Sequence, residues 1–191
     1  MKNLRIVKEH IIEHSFVVNS LDETQIKTIV TMADNISNSL KKNGTIFWCG
    51  NGGSASDSQH LSAELIGRFK KSRKPLKSIS LSSNVAALTC IANDFGYENI
   101  FSRQIDALGK KQDILVLLST SGNSKNILKV LDHAKKKGMK TICFLGYNGG
   151  KCKGKSSFEL IIKSKSTARI QEMHIMIGQI ICDLIERNLK L

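Results

Sequence analysis

Two short stretches concentrate the residues able to do chemistry. Ser119, Thr120, Ser121 and Ser124 place four hydroxyls in six positions, directly after the apolar run Asp113 to Leu118 and directly before a helix-periodic stretch. A helix N-terminus presents free backbone N–H groups and a positive dipole end, so this arrangement suits a phosphate. One hydroxyl would satisfy an ordinary N-cap; four exceed that need. The second stretch is Cys49-Gly50-Asn51-Gly52-Gly53-Ser54-Ala55, again at a strand-to-helix junction. It matches neither the dinucleotide fingerprint nor a P-loop, and by itself says only that backbone must approach something closely. His60 and Glu64 are four residues apart in the following helical stretch and share a face. That spacing serves a metal pair or an acid/base pair, although a surface hydrogen-bonded pair is the simpler reading. Asp94 is read either as a turn residue or as a ligand, and spacing does not decide. His10, His14, His133 and His174 show no clear partner in the sequence.

Elements that position such loops follow from periodicity. The first forty residues read as two helices, the second starting after Asp22 and ending at Asn43-Gly44. Apolar strands are expected at Thr45 to Cys49, Leu76 to Leu81, Asp113 to Leu118, Lys140 to Leu145 and Glu159 to Ile162. Helices are expected at Ser54 to Gly67, Asn84 to Ala92, Tyr97 to Leu108, Asn123 to Lys137 and Thr167 to Leu189. Continuous apolar strands alternating with helices predict a three-layer α/β fold: a five-stranded parallel sheet in flavodoxin-like order, flanked by helices. One proline, no repeat and no linker argue for a single domain over residues 1–191, with residues 1–43 an N-terminal helical pair and 44–191 the α/β core. The last helix is apolar on more than one side, which predicts packing against a second copy as well as its own sheet.

Composition narrows the function classes. No apolar run approaches a membrane span, and the N-terminus lacks the apolar core of a signal peptide, so a cytoplasmic protein is expected. Five cysteines without a CxxC pair argue against a disulfide framework or a zinc ribbon. The net charge is +13, but its lysines are scattered and aromatics make up only 5%. A solvated lysine surface is therefore the first reading of this charge, with a field that helps collect phosphorylated substrates beside it and a nucleic-acid partner last.

The segments CGNGGSASDSQHLSAELIGRF, IANDFGYENIFSRQ, LLSTSGNSKN and TARIQEMHI, in this order, resemble the phosphoheptose isomerase branch of the sugar isomerase (SIS) family, over roughly Gly44 to Glu186. The resemblance implies a homotetrameric isomerase. It would interconvert sedoheptulose 7-phosphate and D-glycero-D-manno-heptose 7-phosphate, supplying heptose for lipopolysaccharide, capsule or glycoprotein. It also implies roles for residues. Ser119, Thr120, Ser121 and Ser124 form the phosphate loop. Asn51, Gly52, Gly53 and Ser54 form a sugar-contacting loop, with Asn93, Asp94 and Gln171 as further substrate contacts. Glu64 is the catalytic base, and His60, Glu64 and Gln171 are associated with zinc.

One position departs from the pattern. Where the family carries a histidine two turns after the TARIQE glutamine, both zinc ligand and general acid, this chain has Gln179. Glutamine cannot donate and recover a proton at neutral pH, and its amide oxygen is a poorer zinc ligand than imidazole. The catalytic position and the fourth metal position are thus both filled by Gln179, and zinc is expected to bind weakly or not at all. The departure keeps a second reading open: a non-catalytic sugar-phosphate-binding or regulatory protein, similar to the SIS-fold relative that binds the bacterial replication initiator.

Overall fold

A computed structural model describes residues 2–191, as seven α-helices and five strands. Helix α1 (Lys2–Asn19) leads into α2 (Glu23–Lys41), which opens with a capping box: the Asp22 carboxylate accepts from Gln25 N while the Gln25 side chain accepts from Asp22 N. The core follows as β1 (Ile46–Gly50), α3 (Gly53–Ile66), β2 (Ser78–Ser80), α4 (Val85–Phe95), α5 (Ser102–Leu108), β3 (Ile114–Ser119), α6 (Lys125–Lys136), β4 (Lys140–Gly146), β5 (Phe158–Ile162) and α7 (Thr167–Asn188). All strand pairings are parallel and the order is β2-β1-β3-β4-β5, the doubly wound order expected.

Strands buried on both faces need apolar side chains at every position, and β3 (ILVLLS) is buried throughout. One face packs Trp48, Val116, Leu118 and Phe144 under α2, α3 and α7; the other packs Phe47, Leu115, Leu117 and Leu145 under α5 and α6. Helices α3 and α7 touch closely at Gly178, where a Cβ would lie 2.5 Å from Leu61 Cδ1. The α3 C-terminus is locked by a buried ion pair. Arg73 Nε donates to Glu186 Oε1 at 2.9 Å, with both side chains 1% exposed, and Glu186 also accepts from the backbone N–H groups of Phe69, Lys70 and Lys71 at 3.1 Å each.

Some expectations need correction. The stretch Tyr97 to Leu108 is not one helix. It is a single 3-10 turn, Tyr97–Asn99, then α5, because Ile100 and Phe101 turn inward as core residues between them. The strand expected at Leu76 to Leu81 pairs only over Ser78–Ser80. The histidines do find partners: His14 Nδ1 lies 2.7 Å from Glu172 Oε2, His133 Nδ1 lies 2.9 Å from Asp106 Oδ2, and His10 Nδ1 lies 3.2 Å from Arg169 Nη1. No helix among the described residues is long and apolar enough to cross a membrane.

Candidate functional site

In an open parallel sheet the ligand crevice lies where strand order reverses, here between β1 and β3. The loop after β1 turns into α3 on one face, and the loop after β3 turns into α6 on the other. The two are tied across the crevice. Asn51 Nδ2 donates to Asn126 Oδ1 at 2.9 Å and Asn126 Nδ2 donates back to Asn51 Oδ1 at 2.8 Å, while the Tyr97 hydroxyl donates to the same Asn51 oxygen at 3.0 Å. Asn126 and Tyr97 were not singled out in the sequence, although both lie inside the motif segments. The crevice is a cavity of about 350 Å³ bounded by Asn51, Tyr97, Glu98, Ser124, Lys125 and Asn126.

The hydroxyl-rich loop is braced by its own side chains. Ser119 Oγ accepts from Gly122 N at 3.1 Å and Ser121 Oγ accepts from Asn123 N at 3.2 Å, so these two serines brace the loop. Ser124 occupies the N-cap of α6 in extended conformation yet makes no side-chain cap bond, whereas Asp22, Asn84 and Ser166 cap α2, α4 and α7. At the start of α6 the N3 donor, Ile127 N, is accepted by Asn126 Oδ1 at 3.0 Å in place of the N-cap serine. The loop is held from behind by the turn after β4. Gly122 (φ +63°) and Gly150 (φ +55°) face each other so closely that a Cβ on Gly122 would lie 2.0 Å from Gly149 O, and one on Gly150 would lie 2.3 Å from Ser121 O. Cys152 N donates to Gly122 O at 3.0 Å, and Lys151 N donates to Asn123 Oδ1 at 3.1 Å. Only glycine meets both the left-handed φ and the backbone contact.

Gln171 reaches the same end of the sheet: a Cβ on Gly53 would meet its Nε2 at 2.5 Å. His60 and Glu64 form the expected pair, Nε2 to Oε1 at 3.0 Å, with the glutamate side chain 20% and the imidazole 50% exposed. Glu64 lies eleven residues beyond Gly53, about 16 Å along the helix axis, and Gln179 lies about 12 Å along α7 from Gln171. The two glutamines thus do not converge on the loop end; Gln179 sits beside Gly178, at the level of Leu61. Asp57, one turn before His60, also escaped the sequence reading. Burial raises its pKa, His60 partly opposes this, and its Oδ2 is buried without a hydrogen-bond partner. Asn93 and Asp94 are exposed at the end of α4, bonded to each other (Nδ2 to Oδ1, 2.7 Å), and Asp94 Oδ2 also accepts from Cys90 Sγ at 3.5 Å. His174 is a core residue. Burial pushes its pKa down to about 4, the Leu145 carbonyl opposing, and its ring packs 5.8 Å from that of Phe144.

Zinc prefers three or four N, S or carboxylate ligands. Of the four positions that the family resemblance points to, only His60 and Glu64 are strong donors, and no group of three His, Cys, Asp or Glu side chains comes together among the described residues. The donor set of one chain does not fit a complete zinc site.

Comparisons with known proteins agree on one family. The family pattern described as "SIS domain" matches residues 12–146. A phosphoheptose isomerase of Helicobacter pylori strain P12 is 57% identical over 149 residues, 78% of each chain. Another, from strain HPAG1, is 49% identical over 183 residues, covering 96% of this chain and 95% of the relative. Among solved structures, the phosphoheptose isomerase of Neisseria gonorrhoeae superposes with a TM-score of 0.90 at 35% identity, over 96% of this chain and 98% of that one.

Proposed function

The chain belongs to the SIS-domain family, in its phosphoheptose isomerase branch, and from that premise we propose that this sugar-phosphate isomerase interconverts sedoheptulose 7-phosphate and D-glycero-D-manno-heptose 7-phosphate. The observation that carries the reading is the α6 N-terminus, where Ser124 stands at the N-cap without capping its own helix and the hydroxyl-bearing residues Ser119, Thr120 and Ser121 precede it in the same loop. Phosphate bound there anchors one end of the sugar and positions the other. Glu64 then takes a proton from one of C1 and C2 and returns it to the other through a cis-enediol.

With glutamine at 179, this reading has zinc bound weakly and the enediolate oxygen stabilised by hydrogen-bond donors, among them the Gln171 amide. The pathway served is heptose supply for a surface glycan. A homotetramer is part of the same proposal. It is supported by Leu4, Ile11, Ile12 and Phe16 standing exposed on α1, by Ile26 and Val30 exposed on α2, and by α4, which buries none of its residues. The test is to incubate purified protein with sedoheptulose 7-phosphate, with and without added zinc, and follow aldose formation by NMR beside Glu64→Gln. Turnover that falls at least ~100-fold in the variant supports the base. No aldose under either condition would instead favour the non-catalytic binding reading that Gln179 keeps open.

A further inference from the structure

The amide pair that ties the two loops is asymmetric in what it leaves free. Asn126, the second residue of α6, is only 2% exposed. Its Oδ1 accepts from Ile127 N at 3.0 Å and from Asn51 Nδ2 at 2.9 Å. A backbone N–H can only donate, so the atom facing it must be the oxygen, and this fixes which way the Asn126 amide points. Its Nδ2 is thereby turned to Asn51 Oδ1, at 2.8 Å. The Tyr97 hydroxyl donates to that same oxygen at 3.0 Å. Tyr97 is brought there from the end of α4 by Gly96, whose φ of +88° and ψ of 151° suit glycine alone. A carbonyl oxygen has two lone pairs, and both of those on Asn51 are engaged. The Asn51 nitrogen carries two N–H groups and gives one to Asn126; the second has no partner among the described residues, and the half-buried Asn51 lines the crevice. An asparagine on its own offers a ligand either end of its amide, since half a turn exchanges oxygen and nitrogen. Here that turn would set oxygen against oxygen and N–H against N–H at Asn126.

We infer that Asn126 and Tyr97 are positioning residues: they commit the Asn51 amide to donating, so that its free N–H takes an oxygen of the sugar as acceptor. This rests on the sugar-phosphate isomerase reading given above, in which the loop after β1 contacts the sugar. A carbonyl oxygen satisfies the site directly; a hydroxyl satisfies it by accepting there and donating its own O–H elsewhere. A ligand that presents a donor at this point leaves two N–H or O–H groups facing each other and is disfavoured. Because the donor is oriented before substrate arrives, binding costs no reorganisation at Asn51.

The experiment is a double-mutant cycle on the isomerisation of sedoheptulose 7-phosphate. Both kcat and KM are measured for Asn51→Ala, Asn126→Ala, Tyr97→Phe, and for each of the last two combined with Asn51→Ala. Asn51→Ala and Asn126→Ala should each lower kcat/KM about tenfold, the worth of one well-placed hydrogen bond, and should divide the loss between kcat and KM in the same proportion. Tyr97→Phe, which removes only the hydroxyl, should lower it about threefold. Added to Asn51→Ala, neither should lower it further, because each acts through Asn51. Losses that multiply in the combined variants would overturn the inference, since they mark residues acting on the fold or the ligand independently. An unchanged kcat/KM in Asn126→Ala, beside a loss in Asn51→Ala, would overturn it too. Calorimetric titration with inorganic phosphate should give the unmodified affinity in every variant, and a loss in Asn126→Ala alone would make Asn126 part of the phosphate loop instead. Should Asn126→Ala fail to fold in a thermal melt, Tyr97→Phe with and without Asn51→Ala decides the question by itself. A protein that turns over no sedoheptulose 7-phosphate removes the isomerase reading alone: the same cycle is then read in the calorimetric Kd for that sugar phosphate, with the same outcomes for and against, and absence of binding as well would overturn both.

Discussion

Ser124→Ala is the sharpest probe of the phosphate loop, because the structure separates its two possible roles. Serine at an N-cap ordinarily contributes about 1 kcal/mol to its helix, through a hydrogen bond to the N2 or N3 backbone. Ser124 makes no such bond, so truncating it should leave stability nearly unchanged. Ser119 and Ser121 are less clean probes, since each accepts a loop N–H and its removal would loosen the loop as well. If the Ser124 hydroxyl instead donates to a bound phosphate, the lost charge-assisted bond costs about 1.5–3 kcal/mol. At about 1.4 kcal/mol per decade this is roughly a 10- to 150-fold rise in Kd. The assay pairs calorimetric titration of inorganic phosphate and of sedoheptulose 7-phosphate with a thermal melt of the ligand-free variant. The expected outcome is a large affinity loss with a melting temperature shifted by about 1 °C or less. An unchanged Kd, or a melting temperature lowered by about 3 °C or more as a missing cap would give in a chain of this size, refutes the assignment.

Gln179→His supplies the imidazole that the family resemblance places at this position, and metal analysis should find zinc rising from substoichiometric toward one per subunit together with isomerase rate; a tightly held zinc in the unmodified protein, with no change on substitution, would contradict the reasoning. Glu186→Gln leaves the buried Arg73 guanidinium without its carboxylate and should cost about 3–5 kcal/mol in urea unfolding. Burial alone would raise the Glu186 pKa, but the N–H donors of Lys70, Phe69 and Lys71 and the Arg73 side chain outweigh it and hold the pKa low in the folded state. Its stabilisation is therefore full above the unfolded carboxylate pKa of about 4.3 and is lost as pH falls through the lower folded value. The variant should lack that part of the acid slope, and an identical slope would argue against it. Light scattering at micromolar concentration should report four copies per particle, and a monomer would leave the exposed apolar residues of α1 unexplained.

Periodicity and motif chemistry determined a good deal by themselves. Alternating apolar strands and helices dictate a parallel sheet, since only two covered faces accommodate a run such as Ile114 to Leu118. Hydroxyls crowded at a strand-to-helix junction marked Ser119 to Ser124, and the i, i+4 rule placed His60 beside Glu64. These are local facts, set by chain geometry within a few residues. What only the tertiary structure decided are contacts between segments far apart in sequence. Asn126 and Tyr97 join Asn51 because β1 and β3 are neighbours across the switch point. The glycines Gly122 and Gly150 interlock because β3 and β4 end side by side. Lys163 and Lys165 line one cavity with Ser121 and Asn123 although some forty residues separate them in the chain. The two glutamines of α7 share a helix, yet the rise per residue sets them two turns apart, one at Gly53 and the other at the level of Leu61. Helical spacing fixes which side chains share a face, but how far down a packed helix pair they fall from the crevice depends on where the sheet ends, and that is a property of the assembled fold.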